Sequence, residues 1–313
     1  MRARVGIYVL AGAALVVAAV LAAAGVGEHE GALTDWQAFV LGVVQGLTEL
    51  LPISSSGHLI LVPWLFDWRY LEENPDFNKT FDVALHLGTL IAVVAYFRHD
   101  LAQLLVAWFR SLRTRAISDT DERVAWLVVV ATIPAVIVGA VGADFIEEHL
   151  GEPWQIAIFL ALFAIILWLA DRTPERRDMS RLTFREGLGI GLAQSLALMP
   201  GVSRSGVTIS AARFLGLDRE SAARFSFLLL VPVTLGAVVF KGLTDVLLAD
   251  LPPGSGGPFL VGTLAAAASG LIAIDVLLGY VRRHDYTVFV VYRLAVAAFI
   301  FGLILTGVRD ATF

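Results

Sequence analysis

The chain has 313 residues, of which 58% are hydrophobic and only 16% charged, with a mean hydropathy of +0.77. A soluble domain carries about a quarter charged residues, so one or two soluble domains are excluded in favour of apolar runs near the roughly 20 residues that cross a bilayer. The absence of cysteine excludes disulfides, thiolate metal sites and cysteine nucleophiles, and a net charge of -5 without a basic block gives no footing for nucleic acid.

In chain order, Arg2 and Arg4 precede an apolar run over Val5–Val26, with small residues from Ala22 to Gly25 near its end. The run exceeds the 7–15 residues usual for a signal-peptide core. That length favours an uncleaved signal anchor within residues 1–30 over a cleaved leader. Residues 31–313 read as a single membrane domain. Spanning helices are predicted at about 81–97, 124–143, 154–170, 225–241, 259–281 and 287–307. The connections at 98–123 and 171–185 are arginine-rich, and a third carries Arg282 and Arg283. The positive-inside rule places all three in the cytoplasm. The alternate connections, Asp144–Gly151 and Asp245–Pro258, are acidic or neutral and belong outside.

Residues 36–66 and 186–216 are apolar but broken centrally by proline, glycine and serine. Preserving the alternation requires each to enter and leave on one side, the first from outside and the second from the cytoplasm. Both are therefore predicted to be re-entrant helical hairpins, since irregular backbone at membrane depth must be buried in protein or line a wet cavity. Their sequences also align. Gln45-Gly46-Leu47 and Ser54-Ser55-Ser56-Gly57 match Gln194-Ser195-Leu196 and Ser203-Arg204-Ser205-Gly206 at a constant offset, with Pro52 and Pro200 just ahead of the serines. The expected architecture is all-α and polytopic: six spanning helices plus two re-entrant hairpins in an inverted-topology repeat, about 36–170 and 186–307, with an extra N-terminal membrane helix.

The two tips carry the chemistry. Gln45 and Glu49 lie four apart and share a helix face, and a carboxylate inside a bilayer marks function by default. Ser54, Ser55, Ser56 and Gly57 open the outgoing helix, whose N–H groups and dipole favour an anion. His58, on the first turn, titrates near neutrality. In the second tip Ser203, Ser205 and Thr208 flank Arg204, a permanent cation whose planar fork suits phosphate oxygens and which can also pair with Glu49. Together these form a phosphate cradle with a nucleophile, an acid/base pair and a fixed positive charge. Asp82 and His86, four apart on the next helix, are a candidate supporting pair. Asp275 and Arg293, in late spans, are read as structural partners of one another.

These motifs resemble the undecaprenyl-pyrophosphate phosphatase family, the bacitracin-resistance phosphatases of bacterial membranes. The stretches GVVQGLTELLPISSSGHLI, FDVALHLGTLIAVV, PGVSRSGVTIS and RFSFLLLVP carry the likeness, over roughly residues 36–307. The resemblance implies hydrolysis of undecaprenyl pyrophosphate to undecaprenyl phosphate and phosphate, recycling the carrier for cell-wall synthesis. It implies a multi-pass protein of the bacterial cell membrane with its site open to the outer face. By motif position Glu49 is the catalytic carboxylate, Ser55 the nucleophile or phosphate ligand, His58 the acid/base group and Arg204 the phosphate clamp. Gln45, Ser54, Ser56, Ser203, Ser205 and Thr208 support substrate. A rival assignment makes His58 the nucleophile. Gln45 stands where many members place glutamate, which leaves Glu49 to carry the acid/base work. The resemblance also implies a divalent cation, Mg2+ or Ca2+, with its protein ligands unassigned. The expected partners are the polyprenyl pyrophosphate and membrane lipid, with a homodimer left open. The alternative function is a lipid-phosphate flippase or transporter, because inverted repeats with broken helices are also a transporter architecture.

Overall fold

The computed structural model describes residues 2–23, 33–241 and 255–312. Much of the Asp245–Pro258 connection, and the stretch after the N-terminal apolar run, lie outside the described residues. Those described form thirteen α-helices and no β-strand. Helix α1 (Arg2–Ala23) is followed by α2 (Asp35–Leu50), α3 (Ser55–Phe66), the single turn α4 (Tyr70–Glu73) and α5 (Pro75–Tyr96). Then come α6 (Arg98–Thr114), α7 (Thr120–His149), α8 (Pro153–Asp171), α9 (Phe184–Ser195) and α10 (Arg204–Phe214). Helices α11 (Arg219–Lys241), α12 (Gly256–Val281) and α13 (Thr287–Leu305) complete the chain.

Among the described residues six helices are long and apolar enough to cross a membrane: α5, α7, α8, α11, α12 and α13. They coincide with the six spans predicted from hydropathy. Side chains such as Ile137, Val141, Leu162, Ile165, Val291 and Phe299 point outward and are exposed, as a lipid-facing surface requires. The main apolar core joins α5, α7, α11 and α12 through Leu90, Val93, Leu127, Phe225, Phe227, Leu229, Ile274 and Leu277.

The segment 98–123, read as a charged connection, holds a seventeen-residue helix, α6. Its heptad-like spacing places Leu105, Val106, Phe109 and Leu112 among exposed positions while Ala107 and Ser111 pack inward. Arginines at positions 98, 110, 113 and 115 masked that apolar stripe in a simple hydropathy reading.

Helix α12 is the template for the site. Along it run α1, α2 and α5. Contact with α2 is backbone to backbone: a Cβ at Gly46 would lie 2.0 Å from Ser269 Oγ and 2.4 Å from the Ala266 carbonyl. Small residues alone permit this approach. On α5, Gly88 meets the same helix, and Thr263 donates a 3.1 Å hydrogen bond to the Ala84 carbonyl. Elsewhere α9 lies against α7 in the same manner, and α8 pairs with α13. Helix α1 seats Ala18 and Ala22 against Val261 and Ala265 of α12, and Tyr8 donates a 2.7 Å bond to Asp275.

Candidate active site

Both polar segments break a helix and restart it, and they do so with the same backbone. Helix α2 stops at Leu50 and α3 begins at Ser55; α9 gives way to a short 3-10 turn before α10 begins at Arg204. The residue before each new helix is a serine in an unusual positive-φ conformation: Ser54 at φ 76°, ψ 97° and Ser203 at φ 75°, ψ 111°. Each serine caps its helix through its hydroxyl, Ser54 accepting from Gly57 N–H at 3.4 Å and Ser203 from Gly206 N–H at 3.1 Å. A non-glycine residue held there costs about 1–3 kcal/mol, so the surroundings must enforce it.

They do so by stitching the two breaks together. Gly201 N–H donates to Ser54 Oγ at 3.2 Å, while the Ser205 hydroxyl donates to the Leu51 carbonyl at 2.9 Å. Arg293 of α13, completely buried, donates to the carbonyls of Pro52, Gly201 and Val202 at 3.0–3.2 Å, and to Leu160 and Phe159 on α8 at 3.1 and 3.3 Å. The expected Asp275–Arg293 pair is corrected by these contacts. Asp275 accepts from Tyr8 and Tyr96 instead. Non-helical carbonyls offer a buried guanidinium more acceptors than one distant carboxylate could.

The stitching brings Glu49, Ser55 and Arg204 together. Ser55 Oγ–H donates to Glu49 Oε2, and Arg204 Nε donates to Glu49 Oε1 at 3.2 Å. Arg204 also donates to the Ser226 carbonyl at 2.8 Å, and its remaining nitrogen, Nη2, is buried with no hydrogen-bond partner among the described residues. The Thr208 hydroxyl supports it, donating to the Arg204 carbonyl at 2.8 Å and lying 2.8 Å from Ser226 Oγ, from which it can accept. Ser56 lies 3.5 Å from Ser54, and Ser203 lies 3.2 Å from Ser205, each measured between hydroxyl oxygens. Gln45 is fully buried one turn before Glu49, and neither amide atom has a partner among the described residues.

His58 is directed elsewhere. Its Nδ1 lies 2.6 Å from the Ser54 carbonyl, and its Nε2 lies 2.8 Å from the Tyr292 hydroxyl, on whose ring it stacks. The histidine that reaches Glu49 is His86 of α5, with Nε2 3.7 Å from Glu49 Oε2. Sequence reasoning gave His86 a supporting place beside Asp82 and did not foresee this approach. It also missed Ser226. An ionisable side chain within a predicted span was the available signal for His86.

The donor set does not fit a divalent cation resident in the protein. Both Glu49 oxygens are already engaged, Gln45 is neutral, and Arg204 places a fixed positive charge at hydrogen-bond distance. Among the described residues no group of three or more His, Asp or Glu side chains converges as a metal site.

The spans define a multi-pass membrane protein, and at its centre a buried hydroxyl rests on a carboxylate beside a guanidinium with a spare donor. Comparison with known proteins makes the assignment specific. The profile of the family described as bacitracin resistance protein BacA matches residues 38–299, and the chain belongs to that family. An undecaprenyl-diphosphatase of Thermomicrobium roseum is 46% identical over 269 residues, covering 83% of this chain and 94% of the relative. Another, from Geobacter sulfurreducens, is 47% identical over 271 residues, covering 85% of this chain and 98% of the relative. The undecaprenyl-diphosphatase of Pelobacter propionicus is 44% identical over 273 residues, covering 87% and 97%. Helix α1 lies ahead of the residues that match the family.

Proposed function

We propose that this protein is an integral membrane undecaprenyl-diphosphatase. It hydrolyses undecaprenyl pyrophosphate to undecaprenyl phosphate and phosphate, recycling the lipid carrier for cell-wall synthesis and conferring bacitracin resistance. One observation carries the site assignment: the Ser55 hydroxyl donates to a carboxylate whose other oxygen is held by Arg204. In the reaction the Ser55 oxygen attacks the terminal phosphorus while Glu49 takes its proton. The bridging P–O bond breaks and undecaprenyl phosphate leaves. Arg204 spreads the developing charge through its spare Nη2 without releasing Glu49, and the N–H groups opening α3 and α10 add to it. Water then attacks the phosphoserine, and Ser55 recovers a proton as phosphate departs. A divalent cation, Mg2+ or Ca2+, would arrive with the pyrophosphate as part of the substrate rather than be held by these residues. His58, with both ring nitrogens engaged, holds the first tip to α13 in this scheme.

The broken helix pairs α2–α3 and α9–α10 act as re-entrant hairpins of an inverted-topology repeat. Their shared cap conformation supports that reading, as does the parallel between α2 on α12 and α9 on α7. The arginine-rich connections, gathered on one side, support a reading in which the site opens to the outer face. Helix α1 serves as a retained anchor, which its packing on α12 supports.

The test is phosphate release from a long-chain prenyl pyrophosphate by purified protein, beside Arg204→Ala and Glu49→Ala. Release by the parent that falls by on the order of a hundredfold or more in both variants is the expected result. No release with Mg2+ and Ca2+ supplied, from protein that remains folded, would sink the phosphatase and leave lipid transport.

A further inference from the structure

Glu49 must act twice in a two-step displacement, and it cannot do so carrying the proton it took from Ser55. A buried carboxyl beside a guanidinium needs somewhere to send that proton. Gln45, one turn away on the same face, is an amide and cannot accept it. His58 is turned to Ser54 and Tyr292. Arg204 is a donor only.

We propose that His86 is the proton-relay partner of Glu49, a positioning residue that resets the carboxylate between the two steps. This rests on the phosphatase reading. Three observations carry it. First, Ser55 Oγ and His86 Nε2 address the same carboxylate oxygen, Oε2, while Arg204 holds the other. A proton arriving from Ser55 is thus delivered to the atom that faces His86. Second, His86 Nδ1 lies 2.7 Å from the Asp82 carbonyl one turn back. A carbonyl only accepts, so that ring nitrogen carries a hydrogen and Nε2 is the nitrogen left to exchange a proton with Glu49. Third, the three groups form an outward gradient: Glu49 and Ser55 are 7% and 8% exposed, whereas the His86 side chain is 33% exposed. Of the three, the ring is the group most open to its surroundings, where a relayed proton can leave the buried pair.

The placement is built into the backbone. Helices α2 and α5 both lie on α12 through glycine contacts, at Gly46 and Gly88, so the gap between Glu49 and His86 is set by one template. At 3.7 Å it is longer than a hydrogen bond, as acid/base pairs often are before substrate draws them together.

The balance is simple. The Ser55 O–H bond breaks and its proton passes to Glu49 Oε2 as the new O–P bond forms, the bridging P–O bond breaks and undecaprenyl phosphate leaves. Glu49 then transfers the proton to His86 Nε2, giving an ionised carboxylate and an imidazolium. The imidazolium loses it to water at the exposed edge. Glu49, ionised again, takes a proton from the attacking water, and that proton returns to Ser55 as the phosphoserine bond breaks.

The experiment compares the parent with His86→Ala and His86→Gln in prenyl pyrophosphate hydrolysis, with and without added imidazole, and records thermal unfolding of each. We expect kcat to fall on the order of a hundredfold in both variants, with KM within about twofold and unfolding unchanged. Gln, which keeps polarity but cannot take a proton, should fare no better than Ala. Imidazole should restore at least about tenfold to His86→Ala and nothing to His86→Gln, whose side chain fills the space. Parent-like kcat in His86→Ala overturns the relay alone, as does a loss that imidazole leaves untouched or that Gln repairs. Absence of hydrolysis by the parent overturns the phosphatase reading and the relay with it.

Discussion

Replacing Arg293 with Met tests whether the two breaks are held by one buried guanidinium. Met nearly fills the same space but donates nothing. Two of the five carbonyl partners, Phe159 and Leu160, lie within α8, where the helix ladder still satisfies them. The other three, on Pro52, Gly201 and Val202, belong to the breaks. An orphaned buried carbonyl costs about 1–3 kcal/mol, so three cost roughly 3–9 kcal/mol. Relief from burying a guanidinium that has no carboxylate partner offsets several of these. The net loss is on the order of 3 kcal/mol, or a fall in Tm of roughly 6–12 °C at the 2–4 °C per kcal/mol of a large domain. Activity should fall further than stability, because a shift of about 1 Å in reacting groups costs on the order of a hundredfold. Arg293→Lys, with three donors on one nitrogen, should land between the parent and Met. Thermal unfolding in detergent and phosphate release measure both effects. A Met variant that unfolds within about 2 °C of the parent with undiminished kcat would refute the staple.

Ser203→Ala removes the acceptor for Gly206 N–H while keeping a Cβ at positive φ; it should cost about 1–2 kcal/mol, read from the unfolding midpoint. Gly46→Ala drives a methyl into Ser269 Oγ and the Ala266 carbonyl. It should displace α2 from α12 and lower kcat on the order of a hundredfold, and Ser269→Ala should fail to rescue it, since the backbone clash remains. Glu186, in the first turn of α9, is held at a pKa of about 2 against an ordinary 4.5, chiefly by hydrogen bonds from Arg177. A depressed carboxylate contributes stability that is fully present above its ordinary pKa and is lost as pH falls from 4.5 toward 2. Glu186→Gln should therefore lower the melting temperature at neutral pH and flatten its decline across that acid window.

The spans were legible because charge is scarce and collects between them, and the breaks because proline, glycine and serine interrupt otherwise apolar runs. Glu49 facing Arg204 was legible as an opposite-charge pair within two polar interruptions. His86 was not, because its approach depends on α2 and α5 sharing α12, a relation between helices that no local pattern records. Arg293 was misread for a chemical reason. Counting charges matched it with Asp275, whereas the non-helical carbonyls at the breaks are the richer acceptors. His58 shows the converse limit. Its place on the first turn of α3 was clear, but ring direction depends on a carbonyl four residues back and a tyrosine on α13.

The same stitching bears on whether this architecture rocks or stays still. Alternating access would require the two broken-helix segments to move against each other around the central site. Here Gly201 to Ser54, Ser205 to Leu51, Arg204 to Glu49 and the Arg293 fan all cross between the two breaks. Opening the seam would strip these buried polar groups of partners together, at a cost of about 1–3 kcal/mol for each orphan. A catalytic site gains from this rigidity, since preorganised donors do not reorganise during reaction. A direct check uses the absence of cysteine: Phe66→Cys and Phe214→Cys place spin labels on exposed positions at the ends of α3 and α10. Distances measured by pulsed electron paramagnetic resonance should form one population that moves by no more than about 2 Å when a non-hydrolysable prenyl pyrophosphate binds. A shift of roughly 5 Å or more, on the scale of a switching element, would show that the seam opens and favour the transporter over the phosphatase.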